Sequence, residues 1–139
     1  MNMKIMLDHG AFEPTRAHAT DAGLDLRAKE RVKIWPGMSA TIDTGVHVEL
    51  PAGYYGKLES KSGLNVKHSI VCCGGVIDEG YTGTIVVKLY NLGDKAYVFE
   101  PGDKVAQLVI QPYIAPEIEI VDELSDTDRG SNGFGSTGK

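Results

Sequence analysis

The residues best suited to chemistry lie in one stretch, Gly74-Gly75-Val76-Ile77-Asp78-Glu79-Gly80-Tyr81-Thr82-Gly83-Thr84-Ile85. A carboxylate, Asp78, stands among four glycines and a tyrosine. Apolar residues enter through Ile70 and Val71, and an alternating run leaves through Ile85, Val87 and Leu89, which is the pattern of a β-hairpin. Glycine admits positive φ and lets a ligand approach the backbone closely. Such a hairpin could offer bare N–H and C=O groups to a flat, hydrogen-bonding ligand, with Tyr81 against a sugar and Asp78 holding a water. A plain glycine-rich turn accounts for the same residues, because loop glycines usually serve turn geometry.

Four further runs carry polar residues in suggestive company. Ala22-Gly23-Leu24-Asp25-Leu26 sets a carboxylate between two leucines; in a strand the leucines face the core and Asp25 faces out. That is either an ordinary solvated aspartate or one placed to hold the waters of a magnesium ion. Glu59-Ser60-Lys61-Ser62-Gly63 gathers a cation, two hydroxyls and a glycine, the makings of a phosphate cradle but also a common loop composition. Gly102-Asp103-Lys104-Val105-Ala106-Gln107-Leu108 reads as a turn leading into a strand, with Gln107 a polar intrusion best explained structurally as a satisfied edge residue. The C-terminal run Arg129-Gly130-Ser131-Asn132-Gly133-Phe134-Gly135-Ser136-Thr137-Gly138-Lys139 has one large apolar side chain, too little to order itself. Frayed termini often look like this. Successive N–H groups beside Ser136 and Thr137 also resemble an anion-binding nest, Arg129 a phosphate clamp and Phe134 a stacking face.

The elements that must position these residues are short. Seventeen glycines and six prolines interrupt a chain of 139 residues, with turn signals at Pro36-Gly37, Pro51-Ala52-Gly53, Gly93-Asp94 and Pro101-Gly102. Between them lie alternating stretches, Val46–Leu50, Ile85–Leu89 and Ile118–Ile120, and no long 3.6-residue period. An all-β sandwich or barrel is expected, with one short helical turn near Gly63–Lys67. The length suits one domain, residues 1–128, followed by a flexible glycine-rich segment, 129–139. The 42% hydrophobic content supplies a core, and no run of 18 apolar residues suggests a membrane span. Adjacent Cys72 and Cys73 cannot staple a loop and fit a reducing, cytoplasmic setting. A net charge of −5 argues against a nucleic-acid partner but leaves room for a small anion at a local basic cluster.

Taken in order, the five runs make this chain resemble the trimeric dUTP diphosphatase (dUTPase) family over nearly its full length. The third and fifth runs are the specific ones. The resemblance implies a jelly-roll-like β-barrel, a homotrimer with active sites where subunits meet, and Mg²⁺-dependent hydrolysis of dUTP to dUMP and pyrophosphate. That activity would limit uracil in DNA and supply dUMP for thymidylate synthesis. It implies Asp78 as general base on the attacking water and Asp25 as a metal holder through water. Lys61, Ser62, Gln107, Arg129 and Ser136 would bind phosphate oxygens, and Gly63 and Gly135 would also be substrate-binding. Uracil would pair with the backbone at Gly75, Val76 and Ile77 and near Val86, with Tyr81 under the deoxyribose and Phe134 over the base. Two departures stand out: Lys61 replaces an arginine, and a lysine cannot fork onto two phosphate oxygens; Gly80 replaces a common acidic residue. Two other functions fit the same resemblance. One is a dCTP deaminase, alone or bifunctional, with Glu79 as acid/base. The other is a regulatory protein that captures a partner in its nucleotide-bound state, as reported for some phage-borne relatives.

Overall fold

The computed structural model describes residues 1–138; Lys139, the last residue of the expected tail, lies outside them. Among the described residues the chain forms eleven strands and one helix, so the all-β expectation holds. The longest strand, β11 (Lys104–Pro112), lies between β2 (Gly23–Arg27) and β6 (Tyr54–Glu59), and β6 pairs on its other side with the two-residue β8 (Val76–Ile77). A second sheet places β9 (Val86–Asn91) between β4 (Ser39–Asp43) and β7 (Ile70–Cys72). Two ribbons complete the fold, β1 (Lys4–Leu7) with β5 (Val46–Glu49) and β3 (Val32–Ile34) with β10 (Tyr97–Phe99). All the pairings are antiparallel.

The alternation in the sequence explains which face is dry. Leu24, Leu26, Leu58 and Leu108 from one sheet join Ile42, Ile70, Val87 and Leu89 from the other in a single core cluster closed by Phe99. Each is 8% exposed or less, and truncating one such leucine to alanine typically costs about 2–5 kcal/mol. The expected helical turn is α1 (Ser62–His68), which leaves β6 through Lys61 and stops at Ser69 in the left-handed region, φ 55°. Its last turn carries Lys67 and His68, cations suited to the negative end of the helix dipole. No helix among the described residues is long and apolar enough to cross a membrane.

Two expectations are corrected here. The alternating Ile118–Ile120 is not a strand: from Tyr113 to Gly138 the chain has no ladder partner among the described residues, and Ile114, Ile118, Ile120 and Leu124 are each at least 87% exposed. A strand needs a neighbour for its backbone groups, and the described residues supply none there. The predicted hairpin is also more elaborate. Its arms do pair, Ile70 opposite Asn91 and Cys72 opposite Leu89, but Val76 and Ile77 cross to the other sheet and pair with Lys57 and Gly56. The loop thus ties the two sheets together.

Candidate functional site

Strand register builds the first cluster. Asp25 lies opposite Gln107 on β11, and Gln107 lies opposite Glu59 on β6, so three of the sequence runs meet in one row. Asp25 does not face solvent as its alternation suggested: its side chain is only 4% exposed. It turns away from the leucines but is roofed by two lysines, with Lys61 Nζ 2.5 Å from Oδ1 and Lys104 Nζ 3.0 Å from Oδ2. Burial by itself pushes the Asp25 carboxyl up, and the two ammonium groups outweigh it, holding the carboxyl below its ordinary range. Gln107 is not an edge residue either, since β11 is paired on both sides. Its Nε2 donates to the Ser60 carbonyl at 2.9 Å, which joins the β6 exit to β11. Ser60 itself is used structurally, accepting the Cys72 N–H at 2.8 Å and donating to the Cys72 carbonyl at 3.1 Å. Ser62 and Gly63 open α1 and are exposed.

Lys104 is a residue the sequence reading passed over. The available signal was a cation three residues before Gln107 in a run already singled out. Together Lys61 and Lys104 give this end of the sheet a positive charge in a chain whose net charge is −5, the local inversion that an anion site requires. As a metal site the donor set is sparse. Among the described residues no group of three His, Cys, Asp or Glu side chains could hold a metal ion. The Asp25 carboxylate could still reach a hydrated Mg²⁺ ion, which keeps much of its water shell.

The second cluster is the loop that carries Asp78. Gly75 sits at φ 144°, and a Cβ there would come 3.1 Å from Leu58 Cδ1; its carbonyl accepts the Leu58 N–H at 3.0 Å. Only glycine lets the loop lie that close to β6. Asp78 follows β8 and is exposed. It opens a turn closed by the Tyr81 N–H on the Asp78 carbonyl at 3.0 Å. Tyr81 folds back over Gly83, its hydroxyl donating to the Thr84 carbonyl at 2.9 Å, and a Cβ at Gly83 would overlap that hydroxyl. A groove of about 430 Å³ runs beside the loop, lined by Tyr55, Val76, Asp78, Glu79 and Tyr113. Val76 and Val86 present exposed apolar surface, 64% and 45%. A flat heteroaromatic ligand could lie against such a surface.

The loop is braced by a histidine the sequence reading did not single out. His47 presents Nδ1 to the Thr82 carbonyl at 2.8 Å and Nε2 to the Asp8 carboxylate at 2.9 Å. Both partners are acceptors, so both bonds form only when the ring carries two protons. The Thr82 bond is the largest cause; with Asp8 and the Asp43 charge it outweighs the opposing effect of burial and raises the imidazole above its ordinary value. A raised folded value stabilises below the unfolded pKa of about 6.5 and loses that contribution as pH rises through the folded value. His47→Gln is therefore expected to lower Tm more at pH 5.5 than at pH 8.5. Thermal melts of both proteins across that range check it; a constant difference would separate the brace from titration.

The two clusters are not together within the chain. Ile77 is opposite Gly56, so Asp78 lies beside Tyr55, whereas Lys61 follows the far end of β6. A strand advances about 3.3 Å per residue, which puts Tyr55 and Lys61 on the order of 20 Å apart. The C-terminal residues form a third group. Arg129 Nε donates to the Asn132 carbonyl at 2.6 Å, the Ser136 N–H to the Gly133 carbonyl at 3.2 Å, and Phe134 is fully exposed. Gly135 sits in that last turn at φ 94°. The chain thus presents its candidate residues at three separate places.

The comparisons with known proteins agree with this architecture. The sequence model of the family described as dUTPase matches residues 11–138. The deoxyuridine 5'-triphosphate nucleotidohydrolase of Gloeothece citriformis is 45% identical over 99% of this chain and 97% of its own length. Among solved structures, the dUTPase of Staphylococcus bacteriophage 80alpha with dUPNHPP superposes with a TM-score of 0.94 at 34% identity, covering 99% of each chain. A dUTPase variant from phage phi11 of S. aureus, whose structure details the coordination of a structural Mg(II) ion, gives a TM-score of 0.83 at 33% identity, covering 88% of this chain and 98% of that one. The jelly-roll-like β fold is thus that of a nucleotide-hydrolysing class of enzymes. The chain belongs to the dUTPase family.

Proposed function

We propose that this protein hydrolyses dUTP to dUMP and pyrophosphate. The observation that carries the reading is Asp78, an exposed carboxylate held at the end of β8 on a loop with open backbone groups and a tyrosine. Asp78 accepts a proton from water as the water oxygen bonds to the α-phosphorus. The bond from that phosphorus to the bridging oxygen breaks, and pyrophosphate leaves with the electron pair. Lys61, Lys104, Ser62, Gly63 and Gln107 bind phosphate oxygens, and the lysines release Asp25 as they turn to the substrate. Asp25 would hold Mg²⁺ through water, and the ion would supply charge neutralisation at the triphosphate.

The separation of the clusters supports a shared site. Asp78 of one protomer would serve the phosphates held by Asp25, Lys61 and Gln107 of another, and a homotrimer closes that arrangement with equal interfaces. The exposed Ile114, Ile118, Ile120 and Leu124 are the apolar surface that such an assembly would cover. Uracil presents an acceptor–donor–acceptor edge, which the backbone of Gly75, Val76 and Ile77 and the start of β9 at Val86 can match. Cytosine reverses part of that pattern and leaves buried groups unpaired.

Pyrophosphate release measured across dUTP, dCTP, dTTP and UTP tests the reading, with ammonia release from dCTP followed in parallel. Turnover of dUTP far above the others supports it; ammonia from dCTP would replace it with a deaminase. A pull-down with and without dUTP addresses a partner-binding role. Sugar selection has its own expected outcome. With Tyr81→Ala the dUTP/UTP ratio of kcat/KM should fall by about tenfold or more, because the ring no longer fills the space a 2′-hydroxyl needs. An unchanged ratio would remove Tyr81 from that role.

A further inference from the structure

Glu79 sits next to the proposed base and is engaged by the scaffold. Its Oε1 accepts the Gly53 N–H at 2.5 Å and the Tyr113 hydroxyl at 3.0 Å. The Tyr113 N–H in turn donates to the Gly53 carbonyl at 3.1 Å. Three elements that are far apart in sequence therefore close into one hydrogen-bonded ring: the turn between β5 and β6, the residue just past β11, and the Asp78 loop. Tyr55 adds an edge contact to Tyr113, with centroids 6.3 Å apart and planes at 80°. The Glu79 bond, then partial burial, raises the Tyr113 phenol above its ordinary value, so it remains a donor at neutral pH.

The loop needs such an anchor. Beyond Ile77 it leaves the β6 ladder, and the turn that opens at Asp78 is closed by one local backbone bond, from Tyr81. Gly80, at φ 92°, gives that turn further freedom. His47 holds the loop further on, at the Thr82 carbonyl; the residue directly after Asp78 is fastened to the scaffold by two bonds to a charged acceptor, the stronger kind.

We propose that Glu79 is a positioning residue, whose carboxylate fixes the aim of Asp78 by fastening its loop to Gly53 and Tyr113 while taking no proton in the reaction. The proposal rests on Asp78 acting as the base. A misplacement of about 1 Å in a reacting group can cost on the order of 10²-fold in rate. The two bonds need an acceptor oxygen, not a charge, so glutamine can replace glutamate where alanine cannot.

Steady-state dUTP hydrolysis by Glu79→Ala, Glu79→Gln, Tyr113→Phe and Asp78→Asn, with amide exchange at Gly53, tests this. Glu79→Ala should lose about 10- to 100-fold in kcat with KM within about threefold of the parent, and the Gly53 amide should exchange faster. Glu79→Gln should stay within about threefold in kcat with Gly53 still protected, and Tyr113→Phe, which loses one of the two bonds, should fall between them. Glu79→Gln falling as far as Glu79→Ala would overturn the proposal in favour of a charge or proton-transfer role. Glu79→Ala within about twofold of the parent would overturn it as well. Should the alanine variant not fold, glutamine and phenylalanine variants that both match the parent in kcat overturn it, and a kcat loss confined to Tyr113→Phe supports it. If Asp78→Asn stays active, the assignment of the base fails independently of these outcomes.

Discussion

Asp78→Asn is expected to keep the fold and dUTP affinity while kcat falls by about 10²–10⁴-fold, the usual contribution of a positioned general base. The side chain is exposed on its loop, so no core contact is lost with it. The amide matches the carboxylate in size and still hydrogen-bonds a water, but it cannot take the proton. Ground-state binding should therefore survive and chemistry should not. The measurement is kcat and KM for dUTP beside the Kd of a non-hydrolysable analogue. Turnover within a few-fold of the parent would show that another group is the base. A matching loss of affinity and turnover would mean that Asp78 serves binding instead.

Removal of residues 129–139 should be nearly as damaging to activity, without harm to the fold. The described part of this segment makes local turns and leaves Phe134 fully exposed, so its deletion takes no side chain out of the core. Its proposed work is to close over bound nucleotide, stacking Phe134 on uracil and bringing Arg129, Gly135 and Ser136 to the phosphates. Base–aromatic stacking contributes about 1–3 kcal/mol, which alone corresponds to roughly 5- to 150-fold in kcat/KM. The guanidinium contacts and the exclusion of water add to that. Ordering the segment costs about 1–2 kcal/mol per residue, so closure should require the full triphosphate, and dUMP should not hold it shut. Product release would then be favoured by the same balance. A protein ending at Asp128 should melt near the parent temperature with kcat/KM lowered by on the order of 10² or more. Amide exchange of the tail in the free, dUMP-bound and analogue-bound protein reads the closure directly. Equal protection in all three states would rule out a lid.

The five runs that resemble the dUTPase family, the short alternating strands and the brief helix were all legible in the sequence. Each depends on neighbours along the chain: a side-chain period of two, glycines and prolines at turns, and the order of motifs. What each polar residue touches was not legible. Asp25 reads as solvent-facing from alternation alone, yet β11 pairing and the exit of β6 bring Lys104 and Lys61 over it. Gln107 reads as an edge residue, yet its strand is covered on both sides. Glu79 and His47 carry no local signal, because their partners stand 26 to 39 residues away in sequence. Ile118–Ile120 has the alternation of a strand but no ladder to join, since pairing depends on a partner and not on propensity. The placement of the proposed base and the phosphate cluster at opposite ends of β6 was likewise decided by register. Local pattern determined which elements form and which residues could react; long-range pairing determined which of those residues meet.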